Sequence, residues 1–142
     1  MWIYNEKEIK SIEDLPKNAY GFIYLITNTD IDKSYIGKKN LYFTKKTPLG
    51  KKEIAALPDK RSKKYKYVEK ESDWLSYTGS CIALNEDIKE GANIEKEIIE
   101  VCFSKRELTY KEIKNLFLYE VLESNKFYNE SINRMWFKGN ID

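Results

Sequence analysis

The chain has 142 residues, 34% of them charged and 42% hydrophobic, with a formal net charge of +2. Its length supports a single modest core, and no apolar run approaches the roughly 20 residues a membrane-spanning helix needs. It contains no histidine, which excludes imidazole bases, His-ligated zinc and Ser-His-Asp triads and leaves chemistry to Tyr, Lys, Arg, Asp, Glu or a carboxylate-held metal.

The acidic, amphiphilic residues 1–16 do not read as a signal peptide. Residues 1–19 read as an N-terminal extension, with a strand at Trp2–Tyr4, a short helix around 11–15 and a stop at Pro16. Two β-prone runs follow, 22–28 and 33–39, joined by the polar residues 29–32, an ordinary hairpin connection. With Asn28 opposite Lys33, Tyr24 falls opposite Gly37 and Tyr35 opposite Ile26. Strand alternation then puts Phe22, Tyr24, Ile26, Tyr35, Gly37 and Lys39 on one face. A glycine opposite Tyr24 leaves space over that ring.

Residues 40–73 show weak periodicity and two prolines, and they read as a long, partly ordered basic insertion. From Lys38 to Lys70 twelve basic residues face three acids, a net +9 that leaves the rest of the chain at −7. Such a patch is the footprint of a polyanion binder. A solvated loop without a partner is the competing reading, but Tyr42, Phe43, Tyr65 and Tyr67 interleave with the cations, as suits bases and phosphates. Further on, residues 80–90 read as a helix with Ser80 as N-cap, Cys81, Leu84 and Ile88 as its apolar face, and Gly91 closing it. Residues 93–103 read as a third strand. Residues 109–124 form the clearest helix, with Thr109 as cap and Ile113, Leu116, Phe117 and Val121 as core stripe. The tail turns back through Tyr128 and Asn129 into a last short strand or helix. Cys81 and Cys102 match no metal spacing and read as reduced core thiols of a cytosolic protein. The order points to one α/β domain, a small antiparallel sheet of about three strands flanked by helices.

With the elements in this order, the chain resembles the GIY-YIG nuclease superfamily. The two naming motifs stand as "FIY" (22–24), after Gly21, and "YIG" (35–37), eleven residues from tyrosine to tyrosine. The segments "ESDWLSYTGS" (71–80) and "GANIEKEIIEVC" (91–102) resemble small phage-encoded, homing-type members. The resemblance implies a metal-dependent DNA endonuclease, cytoplasmic in the host cell if phage-encoded, monomeric or homodimeric, with no membrane association. It implies catalytic roles for Tyr24 as general base and for Tyr35. Glu112 is implied as the ligand of Mg²⁺ or Mn²⁺, and Asn129 and Gly37 as supporting residues. The family's histidine is absent. Its arginine has Arg61 as the best counterpart, with Lys38, Lys39 or Lys45 as substitutes.

A phenol with a pKa of about 10 is a poor base unless cations stabilise its anion; Lys39, with a metal or Arg61, is expected to do so. Glu112 has two readings, metal ligand or partner of Thr109 in a capping box. Asn129 has two readings as well, brace of the final turn or orienter of a metal-bound water. Trp74 and Tyr77 divide between core and base stacking. DNA contacts are expected from Lys38, Lys39, Lys45, Lys46, Lys60, Arg61, Lys63, Lys64 and Lys66. The alternative function is a catalytically weak nucleic-acid-binding protein that uses the same basic insertion.

Overall fold

The computed structural model describes residues 1–59 and 64–140. Its contacts divide the chain into two compact units, Met1–Leu41 with Asp73–Asp142, and Tyr42–Ser72.

The larger unit is a five-stranded sheet. Strands β1 (Trp2–Tyr4), β2 (Lys7–Ile9), β3 (Gly21–Asn28), β4 (Lys33–Asn40) and, after the second unit, β7 (Ile94–Cys102) stand in the order β2-β1-β7-β3-β4. The β1–β7 pair is parallel and the other pairs are antiparallel. The sheet is therefore mixed and has five strands, where the sequence suggested about three antiparallel ones. Short β1 and β2 carry too little pattern to be counted from sequence, and Trp2↔Lys96 is a pairing across most of the chain. A 3₁₀ turn, Ile12–Asp14, follows the Ser11 cap. The β3–β4 register is the one read from sequence, with Asn28↔Lys33, Tyr24↔Gly37 and Ile26↔Tyr35.

Both faces of β3 are covered. On one, Ile23 and Ile36 pack with Leu108 and Leu116 of α3 (Lys105–Leu118), and with Val121 and Ile132. On the other lies an aromatic layer: Trp2 meets Phe22 at 5.0 Å and Tyr24 at 5.6 Å, and Phe22 meets Trp74 at 6.1 Å between ring centroids. The indole of Trp2 donates to the Trp74 carbonyl at 2.7 Å, so Trp74 belongs to the core. Helix α2 (Ile82–Lys89) adds buried Leu84. Its N-cap is Cys81, with no side-chain cap, and Ser80 instead lies against Tyr35. Gly91, at φ +99°, closes the chain out of this helix in the left-handed conformation that glycine tolerates.

Helix α3 starts four residues earlier than the sequence suggested. The Ser104 side chain accepts from the Glu107 N–H at 3.1 Å, and the Glu107 carboxylate accepts from the Phe103 N–H at 3.1 Å. Because β7 ends at Cys102, this Ser-x-x-Glu box is the first that the chain reaches. Thr109 is thus inside the helix, Phe117 points out to solvent, and Val121 is buried beyond the helix end. The tail forms a small ribbon, β8 (Ser131–Ile132) with β9 (Trp136–Phe137). Cys102 is buried, Cys81 half-buried, and neither is in a disulfide. Among the described residues no helix is long and apolar enough to cross a membrane.

The second unit is a hairpin rather than a structureless insertion. Strand β5 (Tyr42–Pro48) pairs antiparallel with β6 (Tyr65–Glu71), and α1 (Lys51–Ala55) lies in their connection. Aromatics in both strands, with Thr44 and Thr47 in β5 and Val68 in β6, supply the β preference that the lysines masked.

Gly37 is fixed by packing. A Cβ there would fall on the phenol of Tyr24, 2.6 Å from its Cζ. The space over this glycine is filled by Tyr24 itself. Gly37→Ala is expected to cost about 1–3 kcal/mol, the usual scale of overpacking. The loss should shrink when Tyr24 is also changed to Leu. Equal losses in both backgrounds, measured by urea unfolding, would contradict this.

Candidate active site

Strand β4 is an edge strand, so every second residue turns its backbone N–H and C=O away from β3. Three of these residues meet distant segments. Ser34 receives from the Tyr128 N–H at 2.7 Å and donates to the Lys126 carbonyl at 2.8 Å. The Asn129 amide takes both groups of Ile36, accepting from its N–H at 3.1 Å and donating to its C=O at 2.9 Å. Asn129 is buried, and it is a brace of the fold. At Lys38 the outward N–H faces the Glu112 carboxylate and helps to hold its charge, and the Lys38 ammonium stands 4.0 Å from the same group. That ammonium also donates to the Thr109 hydroxyl at 3.2 Å.

One residue along, at Gly37, lies the phenol of Tyr24. This ring is 1% exposed, its centroid 6.2 Å from Tyr35 and 5.9 Å from Tyr77. Tyr77 lies beside the Tyr24 phenol and makes it harder to ionise. Gly79, at φ +87°, brings the backbone against both catalytic candidates. A Cβ on it would lie 3.3 Å from the Tyr24 hydroxyl and 3.5 Å from the Tyr35 ring. The Tyr35 and Ser80 hydroxyls share a hydrogen bond of 3.3 Å.

The electrostatics of the three acids have one origin. Burial pushes the Tyr24 phenol far above its ordinary value, and the neighbouring Tyr77, Tyr35 and Glu112 add to that. Burial also raises Tyr35, against a hydrogen bond from Ser80. Burial raises Glu112 too, opposed by the Lys38 ammonium and backbone N–H. Lys39, expected to hold the Tyr24 anion, is engaged elsewhere: its ammonium bonds Asp73 at 2.6 Å and sits 4.0 Å from the Tyr77 ring centre.

Tyr24, Tyr35, Gly37, Lys38 and Glu112 are therefore together, and Asn129 supports them from behind. With Thr109 inside α3, Glu112 is not in a capping box. Lys45, Lys46, Lys64 and Lys66 belong to the second unit; Lys60, Arg61 and Lys63 lie outside the described residues. Sequence reasoning missed Gly79 and Ser80 and left Tyr77 undecided. The run "SYTGS", a glycine among hydroxyl residues, was the available signal of a close backbone approach.

A hairpin that presents two tyrosines beside a helix glutamate, on a small α/β sheet, defines a GIY-YIG nuclease domain. The family model described as "Putative endonuclease segE, GIY-YIG domain" matches residues 2–132. The chain belongs to this family of GIY-YIG endonuclease domains. Neither the search of curated proteins nor that of solved structures found a match.

The raised Glu112 has a consequence for stability. The folded state holds this proton more tightly than the unfolded chain does. Its ionisation thus destabilises the fold increasingly as pH rises from the ordinary glutamate value of about 4.3 to the raised one. Glu112→Gln keeps the acceptor for Lys38 and loses the charge. Its melting temperature is expected to exceed the wild type's at pH 7 and to match it below about pH 4. A variant equally destabilised at both pH values would contradict this.

Proposed function

We propose that the protein is a metal-dependent DNA endonuclease of the small phage-encoded, homing type, which hydrolyses phosphodiester bonds. The observation that carries this is the convergence of Tyr24, Tyr35 and the half-buried Glu112 at Gly37–Lys38, from segments far apart in the chain.

Among the described residues no three His, Cys, Asp or Glu are grouped to hold a metal ion. Glu112 would hold a cation with fewer than three protein carboxylates, and waters and phosphate oxygens would supply most of the remaining ligands. Mg²⁺ or Mn²⁺ suits that donor set. When bound, the ion supplies positive charge that stabilises the leaving 3′ oxygen and makes a nearby phenol easier to ionise. The protein's own residues divide the remaining work. Ionised Tyr24 takes a proton from water as the water oxygen attacks phosphorus and the P–O3′ bond breaks, and the leaving oxygen takes its proton from solvent. Tyr35, steadied by Ser80, orients the water or the phosphate. Lys38 balances charge on the phosphate oxygens, a role for which the sequence offered Arg61 first and Lys38, Lys39 or Lys45 as substitutes.

A second reading, nucleic-acid binding without cleavage, draws on the deep burial of the Tyr24 hydroxyl. Nicking of supercoiled plasmid with Mg²⁺ and with EDTA separates the two readings. Glu112→Gln is expected to abolish nicking while the variant still binds DNA; full activity in that variant or in EDTA would contradict a Glu112-held metal. Tyr24→Phe should lower the single-turnover rate about a hundredfold, the scale of a general base, with its circular dichroism unchanged. A near wild-type rate would move the base to another group.

A further inference from the structure

The second unit has two unlike faces. In the β5–β6 pairing, Lys46 stands opposite Tyr67, Thr44 opposite Glu69 and Tyr42 opposite Glu71, and these residues share a face with Tyr65. That face is occupied by its own side chains. The Lys46 ammonium lies 3.6 Å from the Tyr65 ring centre, and Tyr65 meets Tyr67 edge-on at 5.7 Å. Both glutamates of the ribbon are there. The other face carries Phe43, Lys45 and Thr47 of β5 opposite Lys70, Val68 and Lys66 of β6. It contains three lysines and no acid. Glu53 of α1 pairs with Lys66 at 2.8 Å, whereas Lys45 and Lys70 have no carboxylate at ion-pair distance among the described residues. Phe43 is 48% exposed beside them.

We propose that this Phe43–Lys45–Lys70 face is a duplex-DNA contact surface, laid along the major groove with Lys45 and Lys70 on the phosphates. The inference rests on the DNA-substrate reading and adds the surface that engages it. Seven paired residues at about 3.4 Å each make a ribbon about 24 Å long, and the major groove of B-form DNA, about 12 Å wide, admits a two-stranded ribbon. Charge complementarity selects the face, because the opposite one would turn Glu69 and Glu71 toward phosphates. The exposed Phe43 and half-buried Val68 offer apolar contact to thymine methyl groups. The deep, narrow major groove of double-stranded RNA would not admit the ribbon.

The test is binding of a fluorescent 30-base-pair duplex across a salt series, in EDTA so that no cleavage intervenes. The double variant Lys45→Gln/Lys70→Gln should reduce the magnitude of the log–log salt slope by about 1.8, that is about 0.9 for each lost phosphate contact. Lys46, a DNA contact on the sequence reading, lies on the opposite face against Tyr65, so Lys46→Gln is expected to leave the slope unchanged. Methyl green, which fills the major groove, should compete with the protein; netropsin, in the minor groove, should not. Equal slopes for the double variant and the wild type, equal losses from the two faces, or competition by netropsin alone would overturn the assignment. Tight binding of duplex RNA in place of DNA would also overturn it. Plasmid nicking with Mg²⁺ separates this proposal from the nuclease reading: an inactive protein that shows the predicted slopes retains the surface and loses the enzyme.

Discussion

The outer edge of β4 is the constraint on which the rest of the larger unit depends. An edge strand presents a row of unpaired backbone groups, a liability unless it is covered. Here successive outward residues are covered by different segments: Ser34 by the chain at Lys126 and Tyr128, Ile36 by the Asn129 amide, and Lys38 by Glu112. Losing the Asn129 side chain would leave two backbone groups of Ile36 without partners, each a loss on the order of 1–3 kcal/mol when buried. The same bonds that cover the edge bring the Glu112 carboxylate to the hairpin. Structure and site are thus built by one set of contacts.

The electrostatic character of the site follows from burial. Tyr24, Tyr35 and Glu112 all have their charged forms disfavoured by desolvation, and the Glu112 carboxylate makes both phenols harder to ionise. Positive charge placed among them relieves all three at once, the logic by which a bound cation inverts local acidity. The Lys38 ammonium supplies part of that charge from 4.0 Å. Lys39 does not, since Asp73 and the Tyr77 ring hold it away. A site whose acids are raised together suits a ligand that brings its own cations, as DNA with its divalent counterions does.

The hairpin was legible because its information is local. Two β-prone runs, a four-residue connection and one glycine set the register, and the register put Tyr24 over Gly37. Glu112 was legible as a candidate, but its competing role as a cap could be removed only by knowing that β7 ends at Cys102 and that Ser104 starts the helix. The parallel β1–β7 pairing was hidden because it joins residues over ninety positions apart, and two three-residue strands leave almost no periodic signal. Tyr77 and Ser80 were hidden for a related reason: a side chain's partner across the fold is not written in its own neighbourhood. The β5–β6 ribbon was obscured by composition, since lysine-rich strands exposed on both faces lack the alternation that marks a half-buried one.

The proposed catalysis turns on a divalent cation at Glu112, beside the two phenols. Crystals of the protein with duplex DNA and Mn²⁺, measured for anomalous scattering, would locate that ion. A manganese peak is expected within about 2.0–2.6 Å of a Glu112 carboxylate oxygen, the range for hard-cation oxygen ligation, adjoining a phosphate and lost in Glu112→Gln. A manganese peak held by other residues, with Glu112 still bound only to Lys38, would contradict it.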